Sequence, residues 1–227
     1  MKIDLLDDAD GVPSCRGVLF REGAGTAKHL GVVLFPDARR IGETAKPCAV
    51  RLAGCGFTVL VADLYGNGGF AAEMSEAHAL MRSLLYNVDA WRRRARAALD
   101  ALPAVPSADG RLAAIGYCFG GTTALELARS GAPLTAVMSF HGGLVTTQPE
   151  DAANIRAKIL VCHGAVDPVV PPNRSPTSSR RWQRRGWTGT STPTPVSSMP
   201  SPIPTPAAPA RRRSLMTRTP TVTPGRR

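Results

Sequence analysis

Between Cys15 and His163 the chain alternates short runs of apolar and β-branched residues with longer amphipathic stretches, the pattern of β-α units around a mostly parallel sheet. Strands are predicted over Gly17–Phe20, Leu30–Phe35, Thr58–Ala62, Leu112–Gly116, Ala136–Phe140 and Ile159–Cys162. Helices fall between them. Glu43–Leu52 carries Pro47 near its start; Ala71–Leu85 and Val88–Leu102 are divided near Tyr86-Asn87; Thr122–Arg129 stops at Ser130-Gly131, an ordinary C-terminal signal. No segment repeats. The expected fold class is α/β, one sheet with helices on both faces.

Beyond Asp167 the periodicity vanishes, and runs such as Pro-Ser-Pro-Ile-Pro-Thr-Pro replace it. The boundary lies near Pro172, which leaves a domain over 1–172 and a tail over 173–227. Twelve of the 20 prolines lie at or beyond Pro171. The scattered apolar residues of the tail cannot bury enough surface to offset chain entropy, so it reads as disordered.

Charge changes this picture less than its size suggests. Every acidic residue lies at or before Asp167, and the eleven arginines beyond Val170 account for the whole net charge of +11. The folded part is neutral, and the tail offers Trp182 and Trp187 but no folded basic motif, so specific nucleic-acid binding is not expected. A length of 227 residues suits one α/β domain. The acidic N-terminus is unlike a secretory signal, and no stretch approaches the roughly 20 apolar residues of a membrane helix. Five cysteines without a Cys-x-x-Cys pair suggest neither a disulfide framework nor a zinc site, and a reducing cytoplasm fits. Neither cofactor nor metal is expected, and oligomeric state is not legible.

The most specific local signal is Gly116-Tyr117-Cys118-Phe119-Gly120-Gly121, a G-x-S-x-G nucleophile elbow with Cys in place of Ser. The apolar run Leu112–Ile115 precedes it and a helix follows. On such a turn the thiol is exposed beside a helix N-terminus, whose partial positive charge favours thiolate. A second signal is His163-Gly164-Ala165-Val166-Asp167-Pro168, directly after a strand, where an acid would orient a catalytic histidine.

From about Gly17 to Pro172 the chain resembles the dienelactone hydrolase family of α/β-hydrolases. The matching pieces are Phe35-Pro36-Asp37, Ala62-Asp63-Leu64-Tyr65-Gly66, Gly116–Gly121, Phe140-His141-Gly142-Gly143 and His163-Gly164 to Asp167-Pro168. The resemblance implies Cys118 as nucleophile, Asp167 as triad acid, Asp37 as an acid contacting the thiol, and the backbone N–H groups of Ala38 and Phe119 as the oxyanion hole. It also implies a small ester or lactone as substrate, attacked by thiolate to give a thioester. The family places its histidine beyond the acid, whereas no histidine follows His163 here. His29, His78, His141 and His163 read as structural or surface residues. The sheet is therefore expected to lack its last strand and helix, and the enzyme its base.

A tail rich in Arg, Pro, Thr and Ser without Asp, Glu or Lys is what GC-rich DNA yields when read out of frame. Ser198–Pro206 can be encoded as TCC ATG CCT TCA CCA ATC CCG ACG CCC. Starting from the third base this reads His-Ala-Phe-Thr-Asn-Pro-Asp-Ala, similar to the family's segment around its histidine. The same offset allows Val-Asp-Trp from Gly186–Gly189 and Tyr-Asp-Ala-Asp-Ala-Asp-Arg-His-Ser-Trp from Leu215–Gly225. The expected shift lies between about Val170 and Arg174. Two further readings compete: a non-catalytic α/β-hydrolase-like binding protein, and an arginine tail contacting acidic surfaces.

Overall fold

The computed structural model describes residues 2–7, 16–23, 27–66, 73–164 and 191–194. One eight-stranded sheet runs in the order β1-β2-β4-β3-β5-β6-β7-β8. Its strands are β1 (Lys2–Asp7), β2 (Arg16–Arg21), β3 (His29–Phe35), β4 (Thr58–Val61), β5 (Ala108–Tyr117), β6 (Ala136–Phe140), β7 (Lys158–Gly164) and β8 (Ser191–Thr194). β1 and β2 run antiparallel, as do β2 and β4, and the pairs from β4 to β8 are parallel.

The six predicted strands are β2 to β7, and the central ones are legible because both of their faces are buried. Along β3, Val33 and Phe35 enter one core while Val32 and Leu34 enter the other. The second core is covered by α1 (Ala45–Gly54) through Ala45, Ala49 and Ala53. The first is covered by α2 (Met74–Leu85), α3 (Val88–Ala101) and α4 (Phe119–Arg129). Helices on both faces are thus as expected.

Three differences have physical causes. β1 has no clean alternation, and pairing with β2 supplies what its own pattern lacks. β5 starts at Ala108 rather than Leu112, its register against β3 shifting between His29 and Gly31. Where the sequence suggests no strand beyond β7, Ser191–Thr194 pair with Val161–Gly164. An open edge accepts any extended segment through its backbone, and Pro193 is tolerated on an outermost strand. Of the tail over 173–227 the structure describes only these four residues; its expected disorder lies outside the described residues.

Every residue of α4 is buried, including Glu126 and Arg129. The Arg129 guanidinium donates to Glu126 Oε1 (2.7 Å) and to the Leu144 carbonyl (3.1 Å). Arg92 of α3 donates to Glu126 Oε2 (2.8 and 3.1 Å) and to Asp151 Oδ2 (2.6 Å). Burial pulls the Arg129 pKa down, against Glu126, which favours its charge. The network ties α4 to α3 and to the 3-10 turn Pro149–Asn154.

Glu126→Ala takes the carboxylate from the buried Arg129 and one of two carboxylate partners from Arg92, and is expected to cost about 3–5 kcal/mol in urea or thermal unfolding. Arg96→Ala, which breaks the exposed Arg96–Asp100 pair, is expected to cost less than about 0.5 kcal/mol.

Candidate active site

β5 reaches the C-terminal end of the sheet and turns into α4 through a single residue, Cys118. Its backbone has φ 53° and ψ −119°, a conformation L residues rarely adopt. The turn is pinned from three sides. The Cys118 N–H donates to the Phe140 carbonyl at the end of β6 (2.9 Å), and the Cys118 carbonyl accepts from the N–H groups of Gly121 (3.0 Å) and Thr122 (3.2 Å). The flanking residues are small because there is no room: a Cβ on Gly116 would collide with the Gly120 backbone, and one on Gly120 with the carbonyls of Phe35 and Pro36. The Phe140-His141-Gly142-Gly143 motif has a matching role, since the Gly143 N–H donates to Thr122 Oγ1 (2.8 Å) and backs the first turn of α4. The Cys118 residue is exposed at the head of that helix.

The loop after β3 faces this turn through Phe35 and Pro36. Asp37 is half-buried, and its Oδ1 accepts the Arg39 N–H (2.8 Å). Among the described residues neither the Ala38 nor the Phe119 N–H has an acceptor. Next in the loop is Arg40, with φ 77° and a buried side chain. Its Nη2 donates to Asp63 Oδ2 (3.1 Å) and Oδ1 (3.3 Å), and to the Gly66 carbonyl. This buried ion pair joins the loops after β3 and β4. Asp63 Oδ1 also accepts the Tyr65 N–H (3.0 Å). The Tyr65 ring stacks on Phe119 (6.2 Å between centroids), and Phe119 stacks on Trp91 of α3 (5.0 Å). Burial pushes the Tyr65 phenol well above its ordinary pKa; Arg40 opposes this, and Asp63, Asp37 and Cys118 reinforce it.

The structure therefore gathers Asp37, Ala38, Cys118 and Phe119 at one end of the sheet. Asp167 lies outside the described residues, as does the side chain of His163, the penultimate residue of β7. His141 follows β6 with φ 42° and its ring lies 6.4 Å from that of Tyr117, while His29 and the exposed His78 sit on β3 and α2. Sequence reasoning gave Arg40 and Trp91 no role and matched Tyr65 only as part of a motif. The signal for Tyr65 was there, in Asp63-Leu64-Tyr65 directly after a strand. Among the described residues no group of three or more His, Cys, Asp or Glu could hold a metal, and no helix is long and apolar enough to cross a membrane.

A mostly parallel sheet in this order, with a cysteine on a strained strand-to-helix turn, defines an α/β-hydrolase-type protein. The chain belongs to the dienelactone hydrolase family, whose sequence model matches residues 16–186. It is similar to a solved structure named m3DLH, with 44% identity over 85% of this chain and 81% of that one and a TM-score of 0.80. A dienelactone hydrolase-like promiscuous phosphotriesterase from metagenomic libraries is 39% identical over 86% of this chain and 82% of that one, with a TM-score of 0.81. A dienelactone hydrolase described from Klebsiella pneumoniae, at 18% identity over 86% and 85% and a TM-score of 0.72, shares the fold. No curated protein matches the chain.

The turn geometry reverses the usual rank of alanine over glycine. Cys118→Gly is expected to be more stable than Cys118→Ala by about 1 kcal/mol in chemical unfolding, because glycine takes φ 53° without strain. Equal stabilities, or the opposite order, would show that the turn is unstrained.

Proposed function

We propose that the protein hydrolyses small esters or lactones through Cys118. Its thiolate sulfur attacks the carbonyl carbon, and the N–H groups of Ala38 and Phe119 stabilise the oxyanion. Collapse of the tetrahedral intermediate breaks the acyl C–O bond, expels the alkoxide (tethered to the acyl group in a lactone), which takes a proton from water, and leaves an acyl thioester on Cys118. Asp37 contacts the thiol, and Asp167 is the acid of the triad. The single observation that carries this reading is the strained, exposed Cys118 at the head of α4, facing a loop whose Ala38 N–H has no acceptor among the described residues.

The second half of the cycle needs a base to activate water, and no histidine follows His163. Deacylation is therefore impaired. The shifted-frame reading of the tail accounts for the loss of the base. The absence of that histidine also favours the alternative, a non-catalytic hydrolase-like binding protein. A cytoplasmic location, which the five cysteines without a Cys-x-x-Cys pair support, and a small-molecule substrate, which the family supports, belong to this reading, with neither a specific nucleic-acid nor a membrane partner. The phosphotriesterase relative adds phosphotriesters to the electrophiles to be assayed.

With 4-nitrophenyl acetate the protein is expected to release a burst of about one 4-nitrophenol per chain and then stall, roughly 10²–10⁴-fold slower in steady state than a chain with its base. Cys118→Ala abolishes the burst. Restoring the alternative frame from the codons for Pro171–Arg174 recovers turnover. A missing burst favours the binding-protein reading, and rapid turnover by the chain as written shows that the base lies elsewhere.

A further inference from the structure

The chemistry above leaves Tyr65 unused, yet the fold invests in holding it. Its ring lies on Phe119 at 14° between planes, Phe119 lies on Trp91 at 11°, and Trp91 is anchored by Nε1–H donation to Thr123 Oγ1 (2.9 Å). The Arg40 guanidinium carbon sits 5.9 Å from the ring centre. On the backbone side, Asp63 accepts the Tyr65 N–H and Arg94 of α3 donates to the Leu64 carbonyl (2.8 Å). A ring fixed this firmly presents its hydroxyl at one place. That hydroxyl oxygen is buried and has no hydrogen-bond partner among the described residues. A tyrosine kept for packing alone normally finds an acceptor for its O–H.

We infer that Tyr65 is a further catalytic residue of this site: its O–H donates a hydrogen bond to the sulfur of Cys118 in the thiolate form. This rests on the reading of Cys118 as the nucleophile. Phe119, on which the Tyr65 ring stacks, follows Cys118 directly, so the phenol and the thiol share one neighbourhood. The groups that compete for the O–H are already committed. Asp63 is paired with Arg40 and accepts the Tyr65 N–H, and Asp37 accepts the Arg39 N–H. Among the described residues, the charged or titratable groups that act on the Tyr65 phenol are Arg40, Asp63, Asp37 and Cys118, and His141 lies beyond the Phe140 carbonyl that accepts the Cys118 N–H. Burial keeps the phenol protonated, so it acts as a neutral donor rather than a rival anion. Cys118 is close enough to act electrostatically on the Tyr65 phenol, which is already desolvated, and a hydrogen bond to a charged acceptor is worth more than a neutral one.

The test is the pH profile of Cys118 alkylation by iodoacetamide, followed by peptide mass spectrometry, in the unaltered protein and in Tyr65→Phe. Thermal unfolding is measured beside it, and the exposed Cys55 serves as internal reference. Phenylalanine keeps both ring contacts and removes only the O–H. The expected result is an alkylation midpoint raised by about half a unit to one unit, so that Cys118 reacts roughly three- to tenfold more slowly at pH 7, with no loss of melting temperature. An unchanged profile in Tyr65→Phe overturns the inference and leaves the nucleophile reading standing. An unchanged midpoint with slower acylation by 4-nitrophenyl acetate also overturns it, by moving the acceptor to the substrate. A lower melting temperature overturns it too, because the hydroxyl then supports the fold. If Cys118 in the unaltered protein reacts no faster than Cys55, the nucleophile reading and this inference fall together.

Discussion

The site depends on how closely α4 can approach the end of β3. Gly120 lies against the carbonyls of Phe35 and Pro36, and Gly116 against Gly120, so strand, turn and helix meet with no side chain between them. That contact sets the direction of α4 and forces Cys118 into its unusual backbone conformation. It also brings the loop that follows β3, beginning with Pro36 and Asp37, up to the turn that carries Cys118. Close backbone approach, more than any single side-chain bond, makes this end of the sheet a site.

Much of the scaffold was legible because a strand buried on both faces must be apolar along its length, as Val32-Val33-Leu34-Phe35 and Thr58–Val61 are. Helix boundaries were less so. Gly120-Gly121 reads as a turn, and the predicted helix began at Thr122, yet both glycines lie inside α4, where close packing and not flexibility requires them. The terminal strands were hidden for a different reason. β1 and β8 take their places from a neighbour's unpaired backbone, which leaves little trace in side-chain pattern.

The candidate site was legible where chemistry needs a short motif and obscure where it needs a long-range pair. Cys118 comes from a local motif and Phe119, Asp37 and Ala38 from the family resemblance, and the four lie together at one end of the sheet. Arg40 and Asp63 are 23 residues apart and meet only because β3 and β4 are neighbours. Glu126 and Arg129 look like the polar face of an ordinary helix until α3 and the Pro149–Asn154 turn are seen to cover them. Burial turns ordinary surface residues into constraints, and burial is a property of topology.

The two rims of the sheet differ in a way that bears on colloidal behaviour. Among the described residues one ends in the six-residue antiparallel β1, the other in the four-residue β8, which contains Pro193. A proline on the outermost strand lacks a backbone donor, so a second molecule extending the sheet at that rim meets a short and incomplete template. Strand-by-strand polymerisation is thereby discouraged at the rim where the parallel ladder ends. β8 thus serves as a stopper as much as a strand.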